Sequence, residues 1–201
     1  MSGSNPFGGI SEASTPNRQG QFFKYNDDLT TARYRGKVNK TRLQDTRKGL
    51  FFIAEIDVID TDVHRLDGSP LYRRGETLTC MIPISGDEEK VERGMKNVKG
   101  CLLACVNSAA DAKGAKRPGA SVITAEFSMK CCEDNLLSGA VVNIEASHIK
   151  TKRGSDFTVV LFLAPKDTDD ANWVAGAVVE AAPEHPPASA EGSEDLASLF
   201  G

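Results

Sequence analysis

The sequence Thr-basic-basic-Gly occurs twice in this chain, as TRKG at 46–49 and as TKRG at 151–154. After each copy an aromatic residue opens a run of apolar and β-branched residues. Glycine readily adopts the positive φ of a tight hairpin turn, and such runs favour strands. The repeat therefore predicts two β-hairpins with cationic tips and neighbouring aromatic side chains. Solvated hairpin tips are often basic without any function, so the charge alone leaves the role of the turns open.

Five segments alternate between apolar and polar residues, which is the period of a strand with one buried face. In the clearest segment, every second residue from Phe52 to Val58 is apolar, and the opposite row is apolar only near the turn, at Phe51 and Ile53. These segments predict a mainly β protein. They cover residues 32–43, 50–59, 77–84, 140–150 and 157–164.

Two helical stretches separate the third and fourth of these segments. In the first, apolar residues recur at intervals of three and four from Val91 to Cys105, after a cap at Ser85 or Asp87, and either internal glycine is a potential break. The second covers residues 121–134, although its first residues also fit the start of a strand. Five strands in two blocks around inserted helices predict a five-stranded, partly open antiparallel barrel of the OB type, a fold whose sheet face and loops bind oligonucleotides.

Charge and composition divide the 201 residues into one domain and two flanking segments. Residues 1–31 are rich in Gly, Ser, Asn and Thr and predict an irregular N-terminal arm, whereas residues 32–166 form the predicted domain. Every Lys and Arg lies at or before Lys166, so 24 basic residues against 20 acidic ones give residues 1–166 a net charge of +4. Residues 167–201 hold the other eight acidic residues and form an acidic tail, with a short helix predicted over residues 170–182.

Several classes of protein find no support in the sequence. No apolar run is long enough to span a membrane, the N-terminus lacks a secretory signal, and five cysteines fit reduced thiols better than a disulfide framework, so a cytoplasmic location is expected. No Gly-rich phosphate loop and no nucleophile triad fits the sequence, so we expect neither an enzyme nor a cofactor. Cys101 and Cys105 precede Cys131 and Cys132 with a spacing that is not that of a zinc site; no metal is expected, and whether these thiols converge stays open.

Basic residues interleaved with aromatic residues on the predicted strands form the remaining pattern. In single-strand binders, bases stack on aromatic faces while Lys and Arg follow the phosphates. Phe51 is the better exposed aromatic candidate, because Tyr34 and Phe157 also fit rows of core residues. The candidate nucleic-acid-binding residues are Tyr34, Arg35, Lys37, Lys40, Arg42, Arg47, Lys48, Phe51, Tyr72, Arg73, Arg74, Lys150, Lys152, Arg153 and Phe157.

The two basic turns, the run FIAEIDV at 52–58 and the sequence NVK at 97–99 resemble a bacteriophage family of single-stranded DNA-binding proteins with an OB-fold. The resemblance covers roughly residues 30–165. It implies a binder without sequence specificity that coats displaced strands during DNA replication or recombination, in the cytoplasm of the host. It also implies that the two turns and the strand aromatics beside them contact DNA.

The acidic tail ends in a short apolar hook and resembles the tails of single-strand binders in general. Such tails recruit replication proteins and compete with DNA for the groove. The partner-binding residues that this resemblance implies are Glu194, Asp195, Leu196, Leu199 and Phe200. Two other interpretations stay open on the sequence: a virion structural or assembly protein whose terminal arms tie subunits together, and a recombination mediator that binds other proteins.

Overall fold

A computed structural model describes residues 5–11, 19–20, 31–64, 69, 71–150, 156–168 and 173–174. Its strands form one antiparallel sheet in the order β1-β6-β5-β2-β3-β4. All five predicted strands are confirmed, as β2 to β6, so the fold is mainly β. The strands are β1 (Gln19–Gly20), β2 (Thr31–Thr46), β3 (Gly49–Thr61), β4 (Thr77–Pro83), β5 (Val141–Lys150) and β6 (Asp156–Leu163).

The sheet is open along its length. Closing it into a barrel would require β4 to pair with β6, and no such pairing occurs among the described residues. Instead, β1 pairs with β6 at Val159 and Val160. The first helix, α1 (Glu88–Ala112), contacts β4, β5 and β6. One helix therefore contacts strands from both halves of the sheet.

Both predicted helices form between β4 and β5, with caps that explain where they begin. The Asp87 carboxylate accepts a hydrogen bond from the backbone N of Lys90 at 2.9 Å, and α1 then runs unbroken through both internal glycines. The second helix, α2 (Ala125–Glu133), begins after Thr124, whose Oγ1 accepts from the Phe127 backbone N at 3.1 Å. A 3₁₀ turn at Ala120–Val122 replaces the first residues of the longer predicted helix.

None of the described helices combines the length and the apolar composition that crossing a membrane would require.

The core lies between one face of the sheet and the two helices. Phe52 of β3 and Leu102 of α1 are fully buried there. Residues 5–11 complete this core, because Phe7 is also fully buried and its ring centroid lies 6.4 Å from that of Phe52. The beginning of the predicted N-terminal arm is therefore packed on the domain.

After β6 the chain is held first at the end of α1 and then on β5. Arg117 joins the end of α1 to the 3₁₀ turn Pro165–Asp167 by hydrogen bonds to Asp111, at 2.6 and 2.9 Å, and to Asp167. The Arg117 hydrogen bond also lowers the pKa of Asp111. Thr168 then accepts a hydrogen bond from Nδ2 of Asn143 on β5 at 2.7 Å. The chain leading into the acidic tail thus starts from a fixed position.

Candidate nucleic-acid interface

A row of basic side chains follows β2 on the face opposite the helices, which we call the outer face. Tyr34, Gly36 and Val38 are buried in the core, so the residues between them point outward. A register shift between Val38 and Lys40 moves the alternation by one residue, and Thr41 is the next core residue. The basic row consists of Arg33, Arg35, Lys37, Lys40 and Arg42.

Carboxylates on β3 lie opposite the middle of the basic row. Arg42 makes a salt bridge with one of them, Glu55, with 3.2 Å between Nε and Oε1. Including Arg47 and Lys48 at the turn, the outer face of this hairpin carries seven basic side chains against three carboxylates, so its net charge is positive. In the β2–β3 register, Asp60, Asp57 and Glu55 face Arg35, Lys37 and Lys40, in that order.

An apolar patch lies beside the basic row, near the β2–β3 turn. Phe51 and Ile53 point to the outer face from β3, and their register partners on β4 are Pro83 and Met81. Ile53 is only 1% exposed although it faces away from the helices, whereas Phe51 is half-buried. Arg42 is the partner of Ile53 on β2 and brings the basic row to the edge of the patch. An aromatic ring among cations is the arrangement that lets a base stack beside a bound phosphate.

The turn between β2 and β3 has the geometry that the TRKG sequence predicts. Gly49 has a φ of +110°, which favours glycine. Thr46 Oγ1 donates to the Gly49 carbonyl at 2.9 Å and accepts from the Lys48 backbone N at 3.1 Å. Arg47 and Lys48 are exposed. The turn is therefore an ordered cationic tip.

The strands that precede the two basic sequences, β2 and β5, end at opposite ends of the sheet. β5 runs antiparallel to β2, with Ser147 opposite Thr31 and Val141 opposite Lys37. The end of β5 at Lys150 consequently extends past the start of β2, whereas the first turn follows the end of β2. The first turn and the end of β5 therefore lie far apart along the sheet, and residues 151–155 are outside the described part of the chain.

Tyr34 is a core residue and offers no face to a base. Its side chain is 1% exposed, and its ring centroid lies 5.9 Å from that of the half-buried Tyr72. The alternation that points the basic row outward turns Tyr34 inward.

Arg73 and Arg74 are exposed, but the backbone after them bonds to Val58, towards the end of β3 away from the first turn. These arginines therefore do not join the cationic tip.

The other predicted contacts lie outside the described part of the chain or are described only by their backbone. Lys152 and Arg153 belong to the undescribed second turn, while Lys150 and Phe157 have backbone positions in β5 and β6. Their predicted roles stay predictions. The same holds for the predicted partner-binding residues Glu194, Asp195, Leu196, Leu199 and Phe200.

One contact of the basic row was not predicted. The Arg33 guanidinium lies over the ring of Trp173, with 5.0 Å between Cζ and the ring centroid, and Trp173 Nε1 donates to the Tyr34 carbonyl at 3.1 Å. Trp173 was expected within a helix over residues 170–182, but it forms a bend with Val174, and the rest of that range is not described. The alternation along β2 is enough to predict that Arg33 points outward. Its contact with Trp173 could not be predicted, because no local sequence pattern links the two residues.

The cysteines contribute mainly to the core. Cys80, Cys101, Cys105 and Cys131 are each at most 1% exposed, and none of them is in a disulfide. A hydrogen bond with Cys105, together with burial, raises the pKa of Cys101 well above its usual value. Within the described residues, no three potential metal ligands converge. These buried thiols therefore act as small apolar side chains.

Comparisons of the chain with protein-family models, with curated proteins and with solved structures find no significant match. The likeness of the chain to phage single-strand binders therefore rests on short sequence motifs alone.

Proposed function

We propose that the protein binds single-stranded DNA without sequence preference and without catalysing a reaction, in DNA replication or recombination of the phage type. The observation that carries this proposal is the apolar patch around Phe51 beside the basic row of β2, on a β2–β3 hairpin whose outer face has a net positive charge. Cations along a strand suit a run of phosphates, and the half-buried ring of Phe51 suits a base.

The patch favours a single strand over a duplex for a physical reason. A base in a duplex is stacked on both faces, so it can contact Phe51 only after it has been unstacked. Bases of a single strand are free to stack on side chains, and every base has a π-face, which makes such binding tolerant of sequence. We also propose that the sheet belongs to an OB-like barrel, a fold that binds oligonucleotides through its sheet face and loops.

A mobility-shift titration of a labelled single strand, run beside the same strand in a duplex, tests the proposal. We expect a shift of the single strand at a protein concentration that leaves the duplex free. The affinity should fall as salt is raised, because bound phosphates release counterions. An absent shift of the single strand, or an equal shift of the duplex, would reject the proposal.

Replacing Phe51 by Ala should weaken single-strand binding by about 1–3 kcal/mol, which is the usual contribution of a base stacked on an aromatic ring. The slope of affinity against salt should change little, because stacking releases no counterions. Fluorescence anisotropy of a labelled oligothymidylate at several salt concentrations measures both quantities. Phe51→Tyr keeps the ring and serves as the control. Unchanged affinity of the Ala variant would remove Phe51 from the site.

We also expect the acidic tail to compete with DNA for the basic row on the outer face. A tethered segment reaches an effective concentration up to roughly millimolar, so even weak attraction to the basic row would make it compete with DNA. Truncation after Val174 removes five acidic residues and keeps the docked Trp173. We expect the truncated protein to bind single strands several-fold more tightly at low salt, with the difference shrinking as screening increases.

A matched control separates the charge of the tail from its length. In the full-length chain, the same five residues are changed to their amides, as in Glu194→Gln and Asp195→Asn. This variant should bind as tightly as the truncated protein in the same anisotropy assay. Equal affinity of the native chain and both variants at low ionic strength would contradict the competition.

A further inference from the structure

Arg33 has a fixed position that distinguishes it from the flexible lysines of the basic row. Trp173 is 8% exposed, and its Nε1 bond to the Tyr34 carbonyl fixes the indole on the outer face. The Arg33 guanidinium lies over that indole, at a distance from which a cation is attracted to the ring. The indole therefore restricts where the guanidinium can go before any ligand arrives.

The hydrogen bonds of the Arg33 guanidinium differ from those of Arg42 within the described residues. In the described part of the chain its N–H groups have no acceptor, whereas Arg42 donates to Glu55 and Gln44. The carboxylate of Asp62 accepts from the backbone N of Arg33, at 2.7 Å, and not from its side chain. Asp62 attracts the Arg33 side chain only through its charge. An arginine that is exposed, oriented and without an acceptor among the described residues is suited to an anion with several oxygens.

Phosphate is the anion that matches this donor set. The planar guanidinium can give two parallel N–H···O bonds to one phosphate, which a lysine ammonium cannot reproduce. Arg33 begins the basic row and lies 14 residues before Arg47 in the turn. At about 3.3 Å per residue, an extended chain of that length spans at most roughly 46 Å. A phosphate held at Arg33 would belong to the same strand as phosphates held at the first turn.

We infer that Arg33, positioned by Trp173, binds a phosphate of the single strand and marks the end of the binding surface opposite the β2–β3 turn. The inference rests on the proposed function and extends it to two residues that are not among the predicted contacts. Trp173 acts here as a positioning residue, since it contacts Arg33 and not the phosphate.

Three variants of the full chain test the assignment: Arg33→Ala, Arg33→Lys and Trp173→Phe. Each is titrated with a labelled oligothymidylate by anisotropy over a range of salt. We expect Arg33→Ala to weaken binding roughly tenfold, since hydrogen bonds to charged groups contribute on this scale. Arg33→Lys should also lose several-fold in affinity with an unchanged salt slope, because it keeps the charge and loses the paired donors. Trp173→Phe should weaken binding less, since it keeps a ring and loses the bond to Tyr34.

The results of these experiments distinguish a failure of this inference from a failure of the proposed function. Arg93→Ala on the exposed side of α1 should leave affinity unchanged. Trp173 is the single tryptophan, so its fluorescence should change when the wild-type chain binds oligothymidylate. No binding by the wild-type chain overturns the proposed function and this inference together. Normal wild-type binding with unaltered affinity in Arg33→Ala, or Arg33→Lys equal to wild type, overturns this inference alone. Tighter binding by Arg33→Ala also overturns it, because Arg33 would then hold acidic groups of the chain itself.

Discussion

Replacing Gly94 by Ala is expected to destabilise the protein by about 3 kcal/mol, the upper part of the range for overpacked sites. Helix propensity alone predicts the opposite sign, because Ala in a helix interior is favoured over Gly by roughly 1 kcal/mol. Gly94 is buried where α1 crosses the end of β4, and a Cβ built there would overlap the carbonyl oxygen of Pro83. Backbone on both sides of this contact cannot move as a side chain could, so the helix would have to shift away from the sheet.

Urea unfolding followed by circular dichroism measures this effect. The midpoint should fall while the slope against urea stays the same, which indicates a change in stability and not in the unfolded state. In a chain of this size, the loss corresponds to a melting temperature lower by roughly 10 °C. Lys90→Ala, at an exposed position of the same helix, should stay within about 0.5 kcal/mol of wild type. A Gly94→Ala protein as stable as wild type would show that α1 does not approach β4 so closely.

Gly94 also illustrates why local sequence patterns predict helices and strands better than they predict the contacts between them. The spacing of apolar residues and the cap at Asp87 placed α1 correctly, because a helix and its cap depend on residues within one turn of each other. The same glycine was a potential break when only helix propensity was considered. In the structure it permits a close approach between α1 and β4, which depends on residues that no helical pattern contains.

The strands show the same division between local and distant information. Period-two alternation predicted all five long strands, and the glycine of TRKG predicted the first turn. The pairing of β2 with β5, which places the ends of these two strands at opposite ends of the sheet, follows only from the register of strands far apart in sequence. Whether Tyr34 lies in the core or on the outer face depends on which elements pack against β2. The stacking of Arg33 on Trp173 likewise depends on a chain segment 140 residues away.

Changing Lys37, Lys40, Arg47 and Lys48 together to Ala is expected to have the largest effect on binding. All four side chains are exposed, two on the basic row and two at the turn, so the fold should be unaffected. If each contacts one phosphate, the slope of log affinity against log salt should become shallower by about 2.8, at roughly 0.7 per contact on a single strand. Affinity at low salt should fall on the order of a hundredfold, and equally for all sequences, because phosphates carry no sequence information.

The loss of four positive charges could weaken binding to any polyanion through the net charge alone, so a matched control is needed. Changing Lys90, Arg93, Lys116 and Lys130 to Ala removes the same charge from exposed positions on the helices and the loop between them. If phosphates follow the outer face, the control should keep most of the wild-type affinity and salt slope, since exposed charges beyond about 10 Å are screened near 0.1 M salt. Equal losses in the two quadruple variants would show that binding depends on overall charge and would remove the basic row of β2 from the site.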